Sequence, residues 1–306
     1  MAEAVTAFAP GSASNLGPGF DCLGVALSGR GDRVTARLST GTGVRVLSVS
    51  DTRIPLDSTR NTAAIAATAV LRRSGSLAGL ELSIEKGLPL AGGLGGSAAS
   101  AVAGAVAANA AIGAGLPREA LMDAALEAEG VVAGRHADNV APSLFGGLVL
   151  ILGLEPARLV FGQIHESIAF VVTTPAYGVE TKVARAVLPP TIPRADAVAQ
   201  AAHLGGLLLA LQRGDGELIG RAMRDHIAHP HRASLYPGYA EARDAALAAG
   251  AHGVAVSGAG PTLLAIVPRG AQAAVARAVE SAYGRAGHAA ESHEADVDRL
   301  GARMVE

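Results

Sequence analysis

The stretch PLAGGLGGSAAS, residues 89–100, constrains this chain more than any other, because it runs straight into an alanine-rich segment that lasts to about residue 112. Glycines at 92, 93, 95 and 96 let the backbone take positive φ and approach a ligand closely. The small residues that follow open a helix, and the first turn of a helix presents unpaired N–H groups and a partial positive charge. Such a junction binds phosphate without a side-chain cation. It is not the P-loop pattern G-x-x-x-x-G-K-[ST], since Ser97, and no lysine, follows the last glycine. Ser97 is expected in the first helical turn, where its hydroxyl would lie near a phosphate bound by the loop and would be placed to ligate Mg²⁺. Taken alone, the stretch fits plain close packing equally well. Residues 98–115 are apolar enough to raise a membrane span, but they are mostly Ala and Gly with Ser100 and Asn109 among them, so a buried helix is expected.

The rest of the chain sorts into strands and helices that segregate and do not alternate strictly, which predicts α+β in two lobes. AVTAFAP, DCLGVAL, DRVTARLS and VRVLSV are β-branched and partly alternating, so each predicts a strand. NTAAIAATAVLRRSG predicts a helix capped by Asn61 and closed by Gly75. LAGLELSIEKG predicts a strand entering the glycine loop, and helices follow at about 96–112 and 117–131. GGLVLILG is a buried strand. After Gly153 the pattern restarts with a strand IAFVVTTP and a short helix VETKVARAVL. Helices are then expected at about 194–213, 215–227 and 238–250, an antiparallel strand pair in HGVAVSGAG and PTLLAIVP, and a last amphipathic helix in AQAAVARAVESAYGRAG.

Half of the 306 residues are apolar and 17% are charged, enough to bury a sizeable core and unlike a disordered chain. The net charge of −2 argues against a nucleic-acid footprint, and 3% aromatics without tryptophan argue against base-stacking platforms. A single cysteine, Cys22, excludes an internal disulfide framework and fits a reducing cytoplasm. The N-terminus has no basic region followed by an apolar one, so no signal peptide is expected. The expectation is a cytoplasmic protein with no membrane and no nucleic-acid partner.

Two more stretches frame the glycine loop: APGSASNLGPGFDCLGVAL opens the chain, and GVAVSGAGPTLLAI lies near its end. In this order the three resemble the GHMP kinase family, named for galactokinase, homoserine kinase, mevalonate kinase and phosphomevalonate kinase. The family's glycine-rich ATP motif usually carries two serines after the last glycine; here Gly96 replaces the first and Ser97 keeps the second. SASNLGPGFDCLGVAL resembles the homoserine kinase branch, as do GRHADNVAPSLFGG, ETKVAR and HRASLYPGY in that order. The resemblance runs from about residue 5 to about residue 267, and the last forty residues carry no signal. It implies the two-lobed GHMP kinase fold: residues 1–155 as an ATP-binding lobe like the second domain of ribosomal protein S5, and 156–306 as a ferredoxin-like lobe. It also implies ATP and Mg²⁺, L-homoserine as the small-molecule partner, and O-phospho-L-homoserine as the product, in threonine biosynthesis. A homodimer is compatible with it.

The resemblance distributes roles over named positions. Asn61, Pro89, Leu90, Ala91, Gly92, Gly93, Leu94, Gly95, Gly96, Ser97, Ala98 and Gly258 are implied at the nucleotide, and Ser97 and Glu129 at the metal. Mg²⁺ prefers oxygen ligands and keeps several waters, so one carboxylate with phosphates suffices; Glu127 is the rival carboxylate. Asp21, with Asn15 as a neutral partner, is implied at the substrate ammonium. Arg185 and Arg232 are implied at its carboxylate, which a guanidinium can grip bidentately. Thr181 and His136 are further contacts, and Thr181 lies one helical turn before Arg185. NLGPGFD also reads as an ordinary turn capped by Asp21. Relatives with a catalytic aspartate keep it in the segment before a Gly-Gly pair. Counting back from Gly146-Gly147, the matching position is Asn139 and not Asp138, and an amide takes no proton at neutral pH. Phosphoryl transfer needs mainly positioning and charge stabilisation, so Asn139, Arg185 and Ser97 are expected at the reacting end without a general base. HIAHPHR has no recognised zinc spacing and reads as a polar loop near the substrate; Cys22 reads as a buried, inert thiol. Another GHMP kinase specificity, or a non-catalytic ligand-binding homologue, stays open at this point.

Overall fold

The computed structural model describes residues 4–132 and 134–305. The chain begins with an antiparallel pair, β1 (Val5–Asn15) and β2 (Gly19–Ser39), followed by β3 (Gly43–Val49). Next come α1 (Thr62–Ser74), β4 (Gly79–Glu85), α2 (Gly96–Ala111), α3 (Arg118–Val132) and α4 (Ala137–Phe145). The hairpin β5 (Leu148–Leu154) and β6 (Ala157–Gly162) leads to β7 (Ile168–Pro175). Helices α5 (Thr181–Ala186), α6 (Arg194–Arg213), α7 (Gly216–Ala222), α8 (His229–Arg232) and α9 (Tyr239–Ala248) follow. The chain closes with β8 (Gly253–Val256), β9 (Leu263–Pro268), α10 (Gln272–Arg285), β10 (Ala290–Ala295) and β11 (Arg303–Val305).

Helix α1 starts and stops where the sequence predicts. The Asn61 carboxamide oxygen accepts from the amides of Ala63 and Ala64, and Gly75 closes the helix in the left-handed conformation. Helix α2 is buried around most of its circumference because its side chains are small, so α1, α3 and the first sheet all pack closely on it. Its apolarity therefore serves a core. No helix among the described residues is long and apolar enough to cross a membrane.

The first sheet has seven strands, in the order β11-β1-β2-β4-β3, with β5 paired to β2 and β6 to β5. β2 is one strand of 21 residues where the sequence predicted two, and its pairing with β1 shifts register between Pro10 and Ser12. The second sheet runs β10-β7-β9-β8, with every neighbour antiparallel. With helices between β7 and β8 and α10 between β9 and β10, this is the expected ferredoxin-like connectivity. The predicted antiparallel pair is β8 and β9. Strands β6 and β11 both lie within 156–306, yet both hydrogen-bond into the first sheet. Strand β7 joins the two halves of the core by alternation: Ile168, Phe170 and Val172 face the main core, while Ala169 and Val171 face a second cluster under α9 and α10.

Candidate active site

A cleft of about 470 Å³ is walled by the β1–β2 turn, the glycine loop, the start of α4, α5 and the β8–β9 turn. The loop enters α2 as predicted, with Ser97 in the first turn. Pro89 to Gly93, Gly95, Gly96, Ser97 and Ala98 all line the cleft, as do Asn61 and Gly258. Leu94 does not: it is buried in the core beneath the loop, and its carbonyl accepts from the Ser12 amide. The β8–β9 turn clamps the loop from the other side. The Thr262 amide donates to the Gly92 carbonyl at 3.2 Å, and the Ser257 hydroxyl donates to the Gly93 carbonyl at 2.7 Å. Gly93 has φ +82°, and a Cβ there would lie 2.4 Å from the Ser257 carbonyl oxygen, so only glycine fits. Asn61 lines the cleft while its carboxamide is engaged on both sides, donating to the Pro55 carbonyl as well as capping α1.

The loop lacks a lysine, but the cleft does not. Lys86, at the end of β4, lines it and donates to the Gly96 carbonyl at 2.7 Å and the Ser100 hydroxyl at 2.9 Å. Nothing in IEKG marks this lysine in the sequence. Its ammonium also meets the Asp32 carboxylate, and the two side chains are 4% and 0% exposed. Asp32 cancels the Lys86 charge locally, so the pair adds little net field at the loop. Loop amides and the α2 dipole remain the main anion-binding features.

Ser97 and Glu129, 32 residues apart, meet at the start of α2: the serine hydroxyl donates to the glutamate carboxylate. Glu129 is 7% exposed. Burial pushes its carboxyl up to about 7, helped by the Asp138 charge and opposed by the Ser97 hydrogen bond and Lys86. A buried hydroxyl–carboxylate pair at a phosphate-binding loop is a hard oxygen donor set, and Mg²⁺ suits it. Glu127 does not line the cleft; it is held by Arg72 at 2.6 Å and Arg73 at 3.1 Å on the outer side of α1.

The implied amino-acid contacts also converge. Asp21 stands at φ +57°, with its amide bound by the Asn15 side-chain oxygen at 3.0 Å. The Asn15 side-chain nitrogen donates to the Gly258 carbonyl at 3.0 Å, so Asn15 braces the turn that presents Asp21. Arg185 grips the Asp21 carboxylate with two hydrogen bonds, 2.7 and 3.1 Å long. The sequence assigned these two residues to opposite ends of a substrate, and in the structure they pair with each other. The Arg185 Nε is buried without a partner among the described residues. Arg232, 3% exposed, donates from Nε to the Ala184 carbonyl at 2.7 Å. Burial lowers its pKa from the ordinary arginine value. Both guanidiniums lie over the Phe20 ring, 5.8 and 5.4 Å from its centroid. Thr181 opens α5 four residues before Arg185, and both line the cleft. His136 precedes α4 with Nδ1 3.9 Å from the Asp21 carboxylate; burial, then Arg185, lowers its pKa, so the ring is neutral at pH 7.

Asn139 lines the cleft, and its carboxamide is held by β1. It accepts from the Ser12 hydroxyl at 3.0 Å and donates to the Ser14 hydroxyl at 3.1 Å. Asp138 beside it also lines the cleft at 4% exposure. Burial, then the Asp21 charge, pushes its carboxyl up to about 6. In the sequence this aspartate is the residue set aside in favour of Asn139 at the catalytic position. Gly24 lets α4 come this close, since a Cβ there would lie 1.8 Å from the Asp138 carbonyl oxygen. Cys22 is half-buried where a buried thiol was expected; burial, then the Asp138 and Asp21 charges, pushes it up to about 11, which leaves it un-ionised at neutral pH.

The family models for the GHMP kinases N terminal domain and the GHMP kinases C terminal region match residues 61–147 and 207–286. A homoserine kinase of Arabidopsis thaliana is 40% identical, over 98% of this chain and 84% of its own. One of Natronomonas pharaonis is 39% identical over 96% and 98%. The crystal structure of a homoserine kinase from Cytophaga hutchinsonii superposes with a TM-score of 0.95 at 37% identity, covering 100% of this chain and 98% of that one. By fold, by the composition of its cleft and by these likenesses, the chain belongs to the homoserine kinases of the GHMP kinase family.

Proposed function

We propose that this chain transfers the γ-phosphoryl group of ATP to the γ-hydroxyl of L-homoserine, as an ATP:L-homoserine O-phosphotransferase of threonine biosynthesis. One observation carries the substrate: Asp21 and Arg185 form a bidentate pair with Arg232 beside them, in the same cavity as the glycine loop. One acid and two guanidiniums complement an α-ammonium and an α-carboxylate. An entering zwitterion offers each member of the pair a new partner of opposite charge, so the pair opens without leaving a bare charge. Asp21 and Asp138 then hold the ammonium, Arg185 and Arg232 the carboxylate, and Thr181 and His136 are neutral contacts. Burial is the main cause that raises Asp138, and an ammonium between the two carboxylates relieves the smaller contribution from Asp21.

ATP, the phosphoryl donor of GHMP kinases, lies with its phosphates on the loop from Gly92 to Ser97 and with Asn61 and Pro89 to Ala91 alongside. Ser97 and Glu129 would hold Mg²⁺, which supplies neutralisation of phosphate charge when bound. The transfer runs without a general base. Asn139, fixed by Ser12 and Ser14, keeps one amide hydrogen to orient the acceptor hydroxyl, and the proton leaves on the transferred phosphate. On the same reading residues 1–155, with β6 and β11, form the ATP lobe and the remainder the ferredoxin-like lobe. A cytoplasmic setting accompanies it, and a homodimer is compatible with it.

The test is a pair of truncated substrates. 4-Hydroxybutanoate lacks the ammonium and 3-aminopropan-1-ol lacks the carboxylate. Each should lose about tenfold to a hundredfold in kcat/KM against L-homoserine, the loss of one charge-assisted contact. Turnover of either as fast as homoserine would remove the zwitterion from the account.

A further inference from the structure

Behind Arg232 lies a second cavity, of about 390 Å³, that phosphoryl transfer leaves unused. Three guanidiniums line it: Arg224, Arg232 and Arg243. One carboxylate, Asp225, faces them, but its oxygens are already engaged by backbone amides just ahead of α8. They accept from the amides of Ile227, Ala228 and His229 at 2.8, 2.9 and 2.9 Å. Burial lowers the pKa of His229, so that ring adds no charge at pH 7. Arg243 is tied on its outer side to Asp244, and Arg224 is exposed with no ion pair among the described residues. The walls thus carry excess positive charge.

The remainder of the lining is aromatic and apolar. The His229 ring lies 6.3 Å from Tyr236 and 5.1 Å from Tyr239. Tyr239 is 6% exposed. Met223, Leu247 and Val254 complete an apolar side. A concave apolar surface with a few convergent polar groups is the usual form of a small-molecule site. Its ligand would need a negative group for the arginines and an apolar body for the rest.

The cavity also has a direct line to the cleft. Asn15, Arg232 and Gly258 line both. The Gly258 carbonyl accepts from Asn15 at 3.0 Å and from Arg232 at 3.4 Å, so the partition between the two spaces is one hydrogen-bonded unit. We propose that the second cavity binds a small organic carboxylate with an apolar body, and that its occupant acts on the amino-acid cleft through Arg232. The binding half stands without the kinase reading; the coupling half rests on it.

The experiment uses 3-methylbutanoate as the probe and the full chain without ATP, followed by ligand-observed NMR. Saturable binding is expected, weakened about tenfold or more in the double variant Arg224→Gln/Arg243→Gln, which removes two charged contacts from half-exposed or exposed positions. Inorganic phosphate and 3-methylbutylamine should bind more weakly than the probe. With the kinase assay running, saturating probe should change the homoserine KM by about fivefold or more and leave the ATP KM in place. No saturable binding, equal binding to the double variant, or phosphate binding as tight as the probe overturns the site. An unchanged homoserine KM with the probe bound overturns the coupling. Binding is read without turnover, so its failure is distinct from a failure to phosphorylate homoserine.

Discussion

On the proposed function, substrate recognition turns on Asp21, the acid that Arg185 holds and that a substrate ammonium would compete for. Asp21→Asn should raise the homoserine KM by the loss of one charge-assisted contact, about 1.5–3 kcal/mol, and leave the ATP KM nearly unchanged. Equal losses for both substrates would make Asp21 structural. The two glutamates of α3 separate in the same way. Glu129→Gln should impair Mg²⁺-dependent turnover. Glu127→Gln removes a surface pair with Arg72 and Arg73 and should cost about 1 kcal/mol or less of stability, with turnover kept. The opposite ranking would move the metal to Glu127. Asp138 and Asn139 divide on kcat and KM. As an ammonium contact, Asp138→Asn raises the homoserine KM. As a base it would lower kcat about a hundredfold or more at unchanged KM, and that result would overturn the base-free mechanism. At this scale the sequence was highly legible, since motif positions carried Asp21, Arg185, Arg232, Ser97 and Glu129 into one cleft. Partnerships were not legible. The Asp21–Arg185 pair joins residues 164 apart, and Asn15, which lines the cleft, also braces the turn that presents Asp21.

Among the elements, the Asp32–Lys86 pair ties β2 to the end of β4, and the lysine reaches on to the first turns of α2. Lys86→Met leaves the Asp32 carboxylate buried and unpaired, which should cost about 3–5 kcal/mol in denaturant unfolding. A loss below about 1 kcal/mol would mean that water or a neighbour replaces the ammonium. Legibility at this scale followed local signals. Helix α1 announced both ends through Asn61 and Gly75, and α2 through its glycines. Helix α4 was missed because Pro142 interrupts its pattern and Gly146 ends it at once. Strand β6 was missed because it is exposed on both faces and shows no alternation. The two strands predicted in residues 21–39 are one, since β1 keeps pairing across the register shift.

The molecule as a whole carries two buried carboxyl groups that the fold biases toward their neutral form. Glu129 is raised to about 7 and Asp138 to about 6, against 4.5 and 3.8 ordinarily. A raised carboxyl binds its proton more tightly when folded. Stability is therefore highest below about pH 4 for these groups and falls as pH rises to 6 and 7, on the order of 3 kcal/mol each. In the ligand-free protein at pH 8, Glu129→Gln and Asp138→Asn should each raise the melting temperature, and at pH 4.5 the gain should shrink. An equal gain at both values would show that the charge is not its source. The two-lobed architecture was legible from the order of the motifs. The tail was not: β10 and β11 come from the residues that carried no signal, and β11 returns to the first sheet. The central claim is the identity of the phosphoryl acceptor, and the most direct measurement is ³¹P NMR of the products formed with Mg-ATP. L-Homoserine should give ADP and O-phospho-L-homoserine, while mevalonate, galactose and shikimate stay unphosphorylated. Phosphorylated mevalonate or galactose beside untouched homoserine would contradict the account.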